Sequence, residues 1–244
     1  HYKGKMLNEI WGYETVGIAQ SQQEMDSHLA SNKPSWGSSW SAGDIMYKDL
    51  NGDGVVNTGA NTVDNPGDRK IIGNSTPRYN FGLTLDAEWN GFDFSVFFQG
   101  VGKRDYWLSG PYFWGASGGM WQSAGFKQHW DFWRGENDPL GANLKAYYPR
   151  ANFDGTKNQY VQSGYLQNAA YIRMKNIQLG YTLPKQWTSK AGLSSVRLYV
   201  SGDNLLTISD ITGIFDPETL GGDWGDGKLY PLCKTISVGL NVNF

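Results

Sequence analysis

Tyr79-Asn80-Phe81-Gly82-Leu83-Thr84-Leu85-Asp86-Ala87-Glu88-Trp89-Asn90-Gly91-Phe92-Asp93-Phe94-Ser95-Val96-Phe97-Phe98 carries the argument about architecture. Up to Trp89 every odd position is apolar or aromatic and every even position is polar or Gly. Side chains alternate across a strand, so one face is wholly apolar. Asn90-Gly91 is the favoured pair for a two-residue type I′ turn. The chain then returns with Phe92, Phe94, Val96 and Phe98 on one face and Asp93, Ser95 and Gln99 on the other. Phe97 breaks the alternation.

The same period recurs downstream. Ile177, Leu179, Tyr181 and Leu183 alternate with Asn176, Gln178, Gly180 and Thr182, and Pro184 ends the run. Its first half, Tyr171 to Met174, is out of phase, which predicts a bulge or an exit from the membrane. A fourth strand is expected from Val196 to about Leu206. A fifth closes the chain, with Ile236, Val238, Leu240, Val242 and Phe244 on one face. Helix is scarce: Ser21-Gln22-Gln23-Glu24 has the capping-box pattern and predicts a short helix over residues 22–31. Pro184 to Gly192 is expected to carry another turn.

Connections between the strands alternate long and short. The stretch up to Pro77, residues 102–170 and residues 207–233 are long; Asn90-Gly91 and Pro184 to Ser195 are short. Outer-membrane barrels have this asymmetry, with short periplasmic turns and long outer loops. Trp89, Phe92, Tyr181 and Phe244 then share the short-turn end, where an aromatic girdle is expected. Alternation by itself also fits a soluble β-sandwich with one buried face.

Composition narrows the field. The 244 residues hold 32 Gly, 11 Trp, 14 Tyr and 11 Phe, an aromatic and Gly-rich mixture that suits strands and turns better than helix bundles. A net charge of −2 gives no bulk attraction to nucleic acid. Mean hydropathy is −0.50 and no apolar run is long enough for a transmembrane helix. Membrane strands need only about ten residues, apolar at every second position. The single Cys233 rules out an intramolecular disulfide, and the three histidines lack metal-ligand spacing. His1-Tyr2-Lys3-Gly4-Lys5 is not a leader, so a truncated chain is expected.

Several blocks resemble the C-terminal third or quarter of the SusC/RagA family. They are Gly43-Asp44-Ile45-Met46-Tyr47-Lys48-Asp49-Leu50-Asn51-Gly52-Asp53-Gly54, then Asp68-Arg69-Lys70-Ile71-Ile72-Gly73-Asn74 leading to Pro77-Arg78-Tyr79, and Trp89 to Gly100. Glu136-Asn137, Tyr148-Pro149-Arg150, Tyr171 to Tyr181, Tyr199 to Leu205 and the last strand follow in family order. The resemblance implies an all-β fold: the C-terminal strands of a 22-stranded, transmembrane antiparallel barrel of a TonB-dependent receptor, with long extracellular loops. It implies import of oligosaccharide, or of peptide, across a Bacteroidetes-type outer membrane with a SusD-like surface lipoprotein. TonB would act through a plug that this chain lacks. Residues 1–244 are thus expected to be barrel wall that requires the remaining strands and lipid. Residues 19–77 and 102–170 are expected as extracellular loops. The alternative is a secreted β-sandwich that binds carbohydrate.

Asp49, Asn51, Asp53, Gly54 and Asn57 match positions 1, 3, 5, 6 and 9 of an EF-hand-like loop, with Val55 offering its carbonyl at position 7. The acid expected at position 12 is absent, as Ala60 stands there. The resemblance places an Asp before Arg here, which Asp68 supplies after an insertion through Thr58 to Gly67. Calcium is the expected ion and magnesium the lesser candidate. No organic cofactor is indicated.

The second long loop carries Trp107, Trp114, Trp121, Trp130 and Trp133, with Tyr106, Tyr112 and Phe113. They are expected as a wall of the substrate cavity or a contact with the lipoprotein, because aromatic faces stack on sugars and apolar side chains; Trp107, Tyr112, Trp114 and Trp121 are the candidate substrate-binding residues. Gly115, Gly118 and Gly119 are expected to leave Trp114 and Trp121 open; the competing reading is a self-packed loop core. Asp131, Glu136 and Asp138 could form a glycosidase pair, but they lie in a polar loop with no defined separation. No P-loop, GxSxG or HExxH pattern occurs, so no enzyme is expected. Phe244 is read as the end of an assembly signal, since an unpaired last strand can pair with an insertase edge.

Overall fold

A computed structural model describes residues 4–115, 125–152, 156–220 and 229–244. The chain divides into two compact units. One comprises residues 1–76, 105–167 and 221–229, the other residues 77–104, 168–220 and 230–244.

The second unit is a five-stranded antiparallel sheet. Its strands are β1 (Arg78–Trp89), β2 (Phe92–Lys103), β3 (Tyr171–Thr182), β4 (Ser195–Ser209) and β5 (Thr235–Asn243). Each pairs only with its neighbours in sequence, and β1 and β5 form the two edges. The Asn90-Gly91 turn has φ of 49° and 84°, as a type I′ turn requires. Between β3 and β4, Pro184 precedes a helical turn over Lys185–Thr188, and Gly192 ends the segment at φ 72°.

Register places like with like. Leu83, Phe98, Met174 and Leu206 form one apolar row; Leu85, Val96 and Ile177 form another. Trp89, Phe92, Tyr181, Leu198 and Leu240 form the last, so the expected aromatic set does share one end. Most of this face is open: Phe81 is 43% exposed and Val238 78%. On the opposite face Asp93 and Arg197 form a two-point ion pair over Gly180, where a Cβ would collide with both. Phe97, the residue out of phase, lies on this polar side, its ring 3.2 Å from where Gly82 would carry a Cβ. Tyr199 covers Gly239 in the same way. Large side chains thus fill the surface that glycines leave bare.

The bulge expected early in β3 is present. Register shifts between Met174 and Asn176 against both neighbours. It puts Ile172 and Met174 on the same apolar face as Ile177. Beside it, Arg173 is buried and pairs with Asp216 at 2.8 Å and Glu218 at 3.0 Å, tying the segment after β4 to the sheet.

The first unit contains short ladders that hydrophobic period alone does not reveal. Glu9–Tyr13 pairs antiparallel with Arg69–Asn74, Thr15–Ile18 with Ile45–Tyr47, and Lys33–Pro34 runs parallel to Val55–Val56. The expected helix spans Gln22–Leu29, with the Ser21 side chain accepting from the Glu24 N–H at 3.1 Å. Such a cap contributes about 1 kcal/mol. Met25 points inward against Ala19 and Met46. In the same unit, Tyr13, Trp36, Tyr47 and Tyr160 pack with ring centroids 4.4–6.2 Å apart. Desolvation pushes the Tyr13 hydroxyl up to about 12 and raises Tyr47 well above the ordinary tyrosine value, so both stay neutral.

Candidate functional site

Asp44, in the first unit, is fully buried and accepts four hydrogen bonds. Its Oδ1 accepts from Arg150 Nε and Asn158 Nδ2, both at 2.9 Å; its Oδ2 accepts from Lys157 Nζ at 2.7 Å and Ser41 N at 2.9 Å. Lys157, also buried, donates in addition to the carbonyls of Ser38 and Ser39 and lies 5.1 Å from the Trp40 ring centre. One carboxylate is therefore shared by two cations. A buried charge is tolerable only when paired and hydrogen-bonded, and here both conditions hold. The approach of these groups requires Gly43 at φ 86°, where a Cβ would lie 2.4 Å from Trp133 and 2.8 Å from Arg150.

Arg150 uses only Nε on Asp44. Among the described residues its two terminal nitrogens have no hydrogen-bond partner. It lines two cavities, of about 460 and 390 Å³, together with Asn152. The larger has walls from Trp114, Phe126, Trp130, Phe132 and Tyr148. The smaller is lined by Trp36, Ser39, Thr156, Lys157 and Tyr160 among others.

The aromatic loop residues divide. Trp114 is only 8% exposed, against the expectation that Gly115 leaves it open. Gly115 at φ 69° instead lets His129 close on the backbone. Trp114 packs on Phe113, Trp107 and Tyr165, and this cluster extends through Tyr147 and Tyr148. Burial raises the hydroxyl pKa of Tyr147, Tyr148 and Tyr165. Trp107 is half-buried beside Trp114, and Tyr112 pairs with Phe126 at 5.5 Å. Trp121 lies outside the described residues. Trp130, one of the loop aromatics, is 62% exposed and lines the larger cavity.

The Asp-rich loop is closed by its own backbone. Asp49 accepts from the N–H groups of Asn51, Gly52 and Gly54; Asp68 accepts from Leu50, Asn51 and Asn57. Asn51 accepts from Asp53 N, and Asp53 from Val55 N. Desolvation works against the Asp49 charge, yet the Gly54, Gly52 and Asn51 N–H groups and the Asp68 side chain prevail and lower its pKa. Among the described residues no group of three or more His, Cys, Asp or Glu side chains forms a metal cluster. Mixed oxygen donors from Asp, Asn and backbone remain together in the loop.

Comparison with known proteins shows what the chain is similar to. The chain is 30% identical over 258 aligned positions to TonB-dependent receptor P3 of Formosa agariphila, covering 99% of this chain and 22% of that protein. It is 26% identical over 201 positions to the TonB-dependent receptor SusC of Bacteroides thetaiotaomicron, covering 82% and 17%. Its fold matches the solved RagAB peptide transporter with a TM-score of 0.64 at 22% identity, over 97% of this chain and 23% of that one. The chain is SusC/RagA-like. No protein-family model matches it. It spans about a fifth of the length of these relatives, so the likeness concerns that part of them alone. No helix among the described residues is long and apolar enough to cross a membrane, which leaves crossing by strands untouched.

Proposed function

We propose that this segment forms part of the wall and outer vestibule of an outer-membrane, TonB-dependent nutrient importer. One observation carries the reading: a five-stranded sheet presents a continuous apolar face, largely exposed and edged by an aromatic row, with an open side on each edge strand among the described residues. A soluble sandwich would cover such a face with a second sheet. In lipid the face is matched, but open edges are not tolerated, so further strands must complete a closed barrel, 22 in all by family resemblance. The short-turn end, with Trp89, Phe92 and Tyr181, is then periplasmic, and residues 19–77 and 102–170 are extracellular. A SusD-like lipoprotein is the partner that fits this family, and TonB acts through a plug outside this segment. The cargo is an oligosaccharide or a peptide.

A cation on the Asp49–Asp68 loop belongs to the same reading. Asp49 Oδ2, Asn51 Oδ1 and Asp53 Oδ1 each accept one backbone N–H, which leaves each a lone pair. Such a hard oxygen set suits calcium better than magnesium, and a cation would offset the adjacent carboxylate charges. Asn57, Asp68 and the Val55 carbonyl complete the candidate donors.

Membrane fractionation of the full-length protein tests the function. Recovery in the outer membrane as a heat-modifiable barrel, with uptake that ceases when TonB is removed, is the expected result. A detergent-free soluble monomer would end the proposal. For the ion, unchanged loop protection and thermal stability after chelation would remove calcium from it.

A further inference from the structure

We infer that the paired cavities at Arg150 form a subsite for an acidic saccharide, one that carries its carboxylate or sulfate beside a ring stacked on aromatic side chains. The inference rests on the importer reading above and names the class of its cargo. Asp44 carries one negative charge against the two positive charges of Arg150 and Lys157, so the cluster keeps one net positive charge. Lys157 is buried and its ammonium group is engaged by Asp44 and two carbonyls. The surplus is therefore presented by Arg150, whose side chain is 34% exposed. Asp44 fixes the guanidinium through Nε alone, and both terminal nitrogens remain available among the described residues. That is a pre-oriented fork of the kind that grips an oxyanion at two points. Among the described residues no Asp or Glu lines either cavity.

The surroundings select what the oxyanion is attached to. On one side Phe126 and Trp130 offer open aromatic faces, and the buried edge of Trp114 backs them. His129 is engaged there, its Nδ1 accepting from Phe126 N and its Nε2 bonded to the Phe113 carbonyl. On the other side Ser39, Thr156 and Tyr160 bring hydroxyl groups, beside Trp36. Flat apolar walls joined to hydroxyl and amide groups suit a polyhydroxylated ring. A fixed cation between them suits a uronate or a sulfated sugar.

Calorimetry on the purified full-length importer would use tetragalacturonate and its methyl ester, a sulfated tetrasaccharide and its desulfated form, and tetraglutamate. The expected result is at least one acidic saccharide binding about tenfold or more tighter than its neutral form, the size of a charge-assisted pair. The two pairs separate carboxylate from sulfate. Arg150→Gln is expected to abolish the difference, while Trp130→Ala weakens both members of a pair and keeps their ratio. Equal binding of acidic and neutral forms by the wild type would overturn the inference without any variant having to fold. So would a preference that survives Arg150→Gln, or tetraglutamate binding tighter than either saccharide. Uptake of a neutral saccharide without acidic preference would leave the importer standing and remove this subsite. Failure to enter the outer membrane would instead remove the importer.

Discussion

A methyl group at Gly43 has nowhere to go. It would meet Trp133 and Arg150 well inside contact distance, on a backbone at φ 86° that L side chains rarely adopt. Gly43→Ala is expected to destabilise the first unit by about 2–3 kcal/mol, seen as faster amide exchange over residues 37–47. The next residue sets a sharper test. Asp44→Asn strands a nearly buried Lys157 ammonium and is expected to cost about 3–5 kcal/mol. Adding Lys157→Met is expected to recover much of that loss, measured as the first unit's denaturation midpoint. Asp49 gives a pH dependence. Its folded pKa lies below the ordinary 3.8, so its contribution is present above that value and lost as pH falls through the depressed one. The protection factors of the Gly52 and Gly54 amides, both bonded to Asp49, are expected to fall in that acid window and to be constant at neutral pH.

At the scale of elements, the ladders of the large sheet were legible because two rules agree there. Period-two alternation and a turn dipeptide fix both the strand and its register, and a bulge is visible as a change of phase at Met174 to Asn176. Even Phe97, the apparent error in β2, has a place over Gly82. Tyr79 departs more, taking φ 57° at the start of β1 where alternation had placed it in phase. The first unit was much less legible. Glu9–Tyr13 and Arg69–Asn74 are far apart in sequence and show no shared period, and Asp44 meets Arg150 and Lys157 across more than a hundred residues. Trp114 was misjudged because an adjacent glycine was read as freedom when it serves close packing. Nothing local in the sequence ranks Trp130 above the other loop aromatics, since its neighbours give no sign of a cavity. The pairing of bare and bulky positions offers its own test. A Cβ at Gly239 would sit 2.1 Å from Tyr199 Cζ, so Gly239→Val is expected to reduce assembled barrel strongly. Tyr199→Ala in the same chain should restore part of it, read by heat-modifiable migration.

For the whole molecule, the two faces of the sheet make opposite forecasts. Val238→Arg on the open apolar face should cost about 2–4 kcal/mol in a bilayer and lower the outer-membrane level, whereas Ser237→Arg on the other face should have a small effect. Similar levels for both would count against a lipid-facing surface. Replacing Phe244 with Asp should slow assembly, and unchanged surface amounts would refute its role as a signal.

The ladder between β2 and β3 has a further consequence. Val101 stands opposite Tyr171, so the long excursion between them starts and finishes on adjacent strands, about 5 Å apart. A segment anchored at such neighbouring points can be exchanged for one of another length without stretching a single rung. A change of length there is felt instead where the excursion meets the rest of the first unit, as at Asp44 with Arg150 and Lys157.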